Sequence, residues 1–207
     1  MKVAILGGTG DFGRALVARL VALGEDEVLI GSRDAERART TAAELRAAGG
    51  AVNGEAVRDV DLAVLAVKAE AALETARDAA AALGDTPLLS VASALRFAKD
   101  GVRPDPDARS LAERVQDELR GPVAAGLHSI AAANLGAAPP DEDALVCADD
   151  PDAKRLALEL ARKVVAGRAL DVGPLASART LEGMTALIVN LNRRYRAHAG
   201  IRVTGVT

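Results

Sequence analysis

Aromatic side chains are nearly absent: Phe12, Phe97 and Tyr195 are the full set in 207 residues, and there is no tryptophan. Nucleic-acid platforms that stack bases need exposed rings, so that class is excluded. Any flat cofactor must then be held by backbone and aliphatic side chains. Cys147 is the only cysteine, which removes an internal disulfide. With two histidines and no cluster joining them to carboxylates, a zinc site is not expected. No apolar run approaches the roughly 18 residues of a membrane-spanning helix. A net charge of −3 exerts no pull toward nucleic acid or anionic lipid. The chain opens directly into a strand pattern without a leader, so the expectation is a cytoplasmic protein with neither membrane nor nucleic-acid partner.

What is present is alanine, at 46 positions, which favours many closely packed helices. Arginine outnumbers lysine 21 to 5, a ratio that fits a GC-rich coding bias better than a functional choice. Short apolar runs alternate with helical periodicity: strands at residues 2–6, 27–30, 62–67 and 87–91, and helices at 11–23, 34–48 and 69–83, the second closed by Gly49-Gly50. Such alternation predicts a parallel sheet with helical crossovers. Residues 100–108, with Gly101, Pro104 and Pro106, read as a loop. Ser110 and Glu113 have the spacing of a capping box on a helix over 110–119. Strands at 123–125, 144–147 and 168–172, a helix from Asp149-Asp150-Pro151 to Val165 and a closing helix over 177–198 complete one domain spanning 1–207. The fold class is α/β, a Rossmann-like doubly wound and mostly parallel sheet with a C-terminal helix.

The sharpest motif is Gly8-x-Gly10-x-x-Gly13, directly after the first strand and opening the first helix. In such a loop Gly8 permits the tight turn, Gly10 lets a pyrophosphate approach the backbone, and Gly13 lets helix and strand pack closely. The free N–H groups of the helix start then face the anion. Glycine-rich turns are common, and the context of a βαβ unit is what turns this one into a dinucleotide site, with Thr9, Asp11 and Phe12 in its loop. At the end of the second strand an NAD-selective site carries a carboxylate for the ribose hydroxyls. Here the residues are Gly31-Ser32-Arg33, and a hydroxyl and a guanidinium suit a 2′-phosphate instead. Arg37, four residues on, can face the same way. The reading is NADP selectivity through Ser32, Arg33 and Arg37; a solvated helix start in an arginine-rich chain is the plainer alternative.

His128 lies in an uncharged stretch, Ala124-Ala125-Gly126-Leu127-His128-Ser129-Ile130. Either it contacts a second substrate or it is a buried neutral histidine bonded to backbone; the residues leave both open. His198 reads as a surface residue near a helix end, Cys147 as a small buried side chain, and Asp149-Asp150 as a helix start. Tyr195 lacks the lysine four residues downstream of a Tyr-x-x-x-Lys reductase.

Taken together, Val3 to Gly13, Ser32-Arg33, Leu127-His128-Ser129-Ile130, Val146 to Asp150 and Asp171-Val172-Gly173-Pro174-Leu175 followed by Ser177 and Arg179 resemble the NADPH-dependent reductases of coenzyme F-420, the 8-hydroxy-5-deazaflavin hydride carrier. The resemblance extends over nearly the whole chain. It implies direct hydride transfer between NADP(H) and the deazaflavin, with Thr9, Ser32 and Arg33 at the NADP site, Val67 at the ring cleft and His128 near the deazaflavin. It also implies a homodimer with the helix over 177–198 at the interface. Val67-Lys68-Ala69-Glu70 and Ser90 to Leu95 lack the prolines and ring-walling aromatic of that family. Other classes compatible with the scaffold are an NADPH-dependent reductase of a small imine, ketone or metal chelate, and a non-catalytic NADP(H)-sensing module. The absence of an acid, base or nucleophile constellation suits hydride transfer, in which cofactors carry the reaction and the protein orients them.

Overall fold

Burial explains the opening strand. In β1 (Lys2–Leu6) Val3 and Ile5 pack into one hydrophobic cluster and Ala4 and Leu6 into another, all four fully buried. A continuous apolar run is therefore a strand covered on both faces. The computed structural model describes residues 1–135 and 138–206. After β1 come α1 (Asp11–Leu23), β2 (Glu27–Ser32), α2 (Ala35–Leu45), β3 (Gly49–Val52), α3 (Asn53–Ala56), β4 (Leu62–Leu65), α4 (Ala69–Leu83) and β5 (Leu88–Ser90). The second half contains a hairpin of β6 (Leu95–Ala98) and β7 (Gly101–Pro104), then α5 (Leu111–Gln116), β8 (Val123–Gly126), β9 (Ala144–Ala148), α6 (Pro151–Val164), β10 (Ala169–Asp171) and α7 (Ala178–Tyr195).

Eight strands form one sheet in the order β10-β9-β8-β5-β4-β1-β2-β3. Every pairing is parallel except β8 with β9. Leu16, Leu20 and Leu160, from α1 and α6, fill one side of the sheet; Ala72, Ala76, Leu111 and Leu181, from α4, α5 and α7, fill the other. The chain leaves β1 toward β2 and β3, then returns to β4 on the opposite side of β1. The carboxyl ends of β1 and β4 thus flank the point where strand order reverses, the place where open α/β sheets bind ligands.

Three segments depart from the sequence expectation. Gly49-Gly50 is the first half of β3 and not a helix stop. α2 has already ended at Arg46, which itself takes the left-handed conformation at φ 58. The edge strand passes so near α2 that a Cβ on Gly50 would lie 2.3 Å from the Ala38 carbonyl oxygen. Residues 95–104, read partly as loop, form the two-stranded hairpin. Its strands are mostly exposed, so they carry no burial pattern, and Asn190 of α7 secures β7 by exchanging two 2.8 Å bonds with Val102, one to its N–H and one to its carbonyl. The closing helix ends at Tyr195, leaving His198 exposed beyond it. The expected caps are present: Ser110 and Glu113 form a reciprocal capping box, and Asp150 accepts from Ala153 N at 2.8 Å.

Candidate cofactor-binding site

The turn after β1 is shaped by close approach. The positive φ, +79°, belongs to Gly7, whereas the sequence spacing had assigned the tight turn to Gly8. Gly8 is required for another reason: a Cβ there would lie 2.9 Å from Ile5 O and 3.0 Å from Ile30 Cγ2. A Cβ on Gly13 would lie 2.4 Å from Gly7 O, so this glycine does let α1 pack onto the turn. The amides of Gly7 and Gly8 both donate to Gly31 O, at 3.0 and 3.2 Å, which ties the loop to β2. Gly8 and Gly13 are therefore shaping residues, and neither lines the cleft.

That cleft has a volume of about 690 Å³ and lies at the carboxyl ends of β1 to β4. Gly7, Thr9, Gly10, Asp11 and Phe12 form one wall, and Ser32, Arg33, Asp34 and Arg37 the next. Asn53, Ala66, Val67, Lys68, Ala71 and Thr75 close it. Gly10 caps α1 with extended backbone and no side-chain bond, so among the described residues no side chain occupies the amides of the first turn. Those donors and the positive end of the helix face an anion without competition from a cap. Room for the approach is real, since a Cβ on Gly10 would meet only Gly7 O, at 3.4 Å.

The second wall carries the charge. Arg33 and Arg37 are exposed, and an Arg37 guanidinium nitrogen donates to Thr9 O at 3.4 Å, bridging the two walls. Ser32 is buried, with its hydroxyl accepting from Asp34 N at 3.2 Å. The Asp34 carboxylate of the same wall accepts from Glu36 N and Arg37 N and so serves as the cap of α2. Uncapped amides, a hydroxyl and two guanidinium groups in one cleft fit the pyrophosphate and 2′-phosphate of NADP(H).

His128 is not among the lining residues. It is buried behind the end of β8, two strands from β4, with Nε2 at 3.3 Å from Ala92 O. Burial pushes its imidazole down to about 4, so the ring is neutral at physiological pH. Around it, Thr185 of α7 donates to His128 O and shares a 2.9 Å bond with the Ser93 hydroxyl. Cys147 is buried, and burial pushes its thiol up to about 12, so it is no nucleophile. Sequence reasoning did not single out Asn53, Ala66, Ala71 or Thr75. They reach the cleft from the start of α3, the end of β4 and α4, and no local motif marks them.

Comparison with known proteins agrees with this geometry. Residues 2–94 match the family model described as NADP oxidoreductase coenzyme F420-dependent. The F420-dependent NADP reductase of Methanothermobacter marburgensis is 37% identical over 228 aligned positions, covering 100% of this chain and 99% of that protein. The enzyme of the same name from Methanocaldococcus jannaschii is 33% identical, again covering all of this chain and 99% of its own. A solved structure described as a putative F420-dependent NADP reductase from Arthrobacter sp. FB24 has the same fold, with a TM-score of 0.85, 24% identity and 99% of both chains covered. With identity above 30% sustained along its whole length, the chain belongs to the F420-dependent NADP reductase family.

Proposed function

We propose that this protein is an NADP-dependent oxidoreductase that moves a hydride between NADP(H) and the deazaflavin coenzyme F420. Family membership supports the pair of coenzymes. The observation that carries the nicotinamide half is the single cleft joining the uncapped start of α1 to Ser32, Arg33 and Arg37. Thr9 to Phe12 hold the pyrophosphate on backbone amides, and Ser32, Arg33 and Arg37 hold the 2′-phosphate. Val67, at the end of β4, borders the ring end, and His128 supports the deazaflavin side from beneath as a neutral ring. The coenzymes supply the chemistry, a hydride leaving one ring carbon for another. The chain contributes alignment of the two rings and shielding of the reacting carbons, while the proton that the deazaflavin ring takes up with the hydride, or releases in the reverse direction, is exchanged with solvent.

A homodimer in the cytoplasm completes the reading. Leu187, Leu191 and Tyr195 recur every four residues along α7 and are all exposed, beside exposed Phe97 of the hairpin with the Arg193 guanidinium 5.5 Å from its ring centre. The exposed apolar stripe of α7 favours association. No helix among the described residues is long and apolar enough to cross a membrane.

The test is anaerobic mixing of the protein with NADPH and oxidised F420, following the deazaflavin's visible absorbance. Bleaching that is rapid with NADPH and much slower with NADH is expected. A protein that binds NADPH yet never bleaches F420 would overturn the reading. Sedimentation should give a dimer, converted to a monomer by Leu191→Asp.

A further inference from the structure

We propose that Glu182 is a positioning residue for the deazaflavin side of the reaction, holding the segment that follows β5 through the one carboxylate oxygen not used to cap α5. The inference rests on the hydride-transfer reading above. Glu182 stands on α7, is 1% exposed, and uses its two oxygens unequally. Oε1 accepts from both amides at the α5 start, Leu111 N at 2.7 Å and Ala112 N at 3.3 Å. Oε2 accepts from Ala94 N at 3.5 Å, its one hydrogen bond among the described residues. A glutamine would cap α5 with a single oxygen and bury no charge. What a carboxylate adds is the second acceptor, and here that acceptor is directed at Ala94.

Ala94 ends a short uncharged run, Val91 to Ala94. At its near end Val91 N donates to Leu65 O at 3.3 Å, beside the end of β4 that continues into Val67 and Lys68 at the cleft. In its middle Ala92 O meets His128 Nε2 at 3.3 Å, and the Ser93 hydroxyl shares a 2.9 Å bond with Thr185, one turn from Glu182. Glu182 therefore fixes the far end of a run that begins beside Val67 and bears on His128. The Ala94 bond is the longest of the three, so a proton reaching the carboxyl settles on Oε2. That turns an acceptor into a donor and frees Ala94 while α5 stays capped. Burial pushes the carboxyl up to about 7, so the hold is made above that pH and released below it. Arg114 of α5 is the charge that acts on Glu182 across space, and it pairs with Asp107 at 3.4 Å. Glu113 is engaged by Ser110, and Arg179 of α7 donates to Asp105 O at 2.7 Å. His128 stays neutral throughout this range.

The experiment compares wild type with Glu182→Gln, whose amide oxygen keeps the α5 cap and whose amide nitrogen cannot accept from Ala94. Hydrogen exchange of the peptide containing Ala94 is read by mass spectrometry without coenzyme, at about pH 5.5 and about pH 8.5, on either side of the transition. At the higher pH this peptide should exchange about three- to tenfold more slowly in wild type than in the variant, and at the lower pH equally fast. The peptide containing Leu111 and Ala112 should not distinguish the two proteins. In turnover, kcat/KM for F420 should favour wild type by about the same three- to tenfold at the higher pH and by nothing at the lower, while the Kd for NADPH stays equal. Any titration of the deazaflavin itself is common to both proteins and cancels in their ratio. Equal exchange of the Ala94 peptide at the higher pH overturns the hold on that segment. An F420 ratio that ignores pH, or an equal loss for NADPH, overturns the positioning role. If wild type bleaches F420 at neither pH, the hydride-transfer reading itself falls; if it bleaches F420 but the two proteins have the same pH profile, only the role of Glu182 falls.

Discussion

Two helix starts face the same problem and solve it differently. The first amides of any helix lack intrahelical partners. At α5 the protein fills them itself: Ser110 accepts from Glu113 N, and Glu182, 71 residues away on α7, accepts from Leu111 N at 2.7 Å and Ala112 N at 3.3 Å. At α1 the chain places Gly10, whose lack of a side chain leaves the first turn bare at the wall of the cleft. The first start is scaffolding, closed by oxygens brought from within the fold. The second is left open to the cleft, and on the proposed function it is completed by oxygens brought from outside. Glycine at an N-cap is thus informative when a cavity adjoins it, and the contrast with α5 shows that this chain can close a helix start where binding does not require it open.

The largest test closes α1 in the manner of α5. Gly10→Asp supplies a capping carboxylate where the phosphate would sit, and space exists for its Cβ. NADPH affinity should fall about a hundredfold, as two charge-assisted bonds are displaced and like charges meet, while stability is unchanged or higher by a few tenths of a kcal/mol. Calorimetry and thermal unfolding measure the two effects separately; undiminished affinity would mean that the α1 start holds no anion. Next is Arg33→Ala, which should weaken NADPH by about 1.5–3 kcal/mol and leave NADH nearly untouched. Equal loss for both cofactors would remove Arg33 from the 2′-phosphate.

On the closed side, Glu182 should reveal itself through pH. Burial pushes its carboxyl from 4.5 up to about 7, partly offset by the Ala112, Leu111 and Ala94 amides. A folded value above the unfolded one means that the contribution to stability is complete below about pH 4.5 and is lost as pH rises through 7. Glu182→Gln keeps an acceptor oxygen without the charge. It should flatten this limb and become the more stable protein above pH 7, by about 1–2 kcal/mol, in denaturant titrations across pH. The smallest effect belongs to Ser110→Ala, which should cost about 1 kcal/mol of stability with no change in NADPH affinity. A change in cofactor binding there would blur the distinction between the two starts.

Much of the amino-terminal half can be read directly. β1 and α1 follow from a change of hydrophobic period from continuous to helical, and Ser32-Arg33 follow from their distance behind the glycine loop. β3 could not be read, because Gly49-Gly50 serves equally as a helix stop and as an edge strand pressed against α2. The β6–β7 hairpin could not be read either, since its strands are exposed and depend on Asn190 for an anchor. His128 was left between two readings. The structure buries it as a neutral ring bonded to Ala92 O and outside the cleft.

The division has a physical cause. Periodicity and glycine spacing act over one or two turns of chain, so a linear reading suffices for the alternating α/β pattern, the open start of α1 and the place of Ser32 and Arg33 beside it. Asn53 reaches the cleft only when β3 lies beside β2 and Gly31 makes room for its amide; Thr75 and Ala71 reach it when α4 covers the same cleft; Glu182 reaches α5 across 71 residues. Burial and missing partners are properties of neighbours in space, and those neighbours are assigned when the sheet assembles.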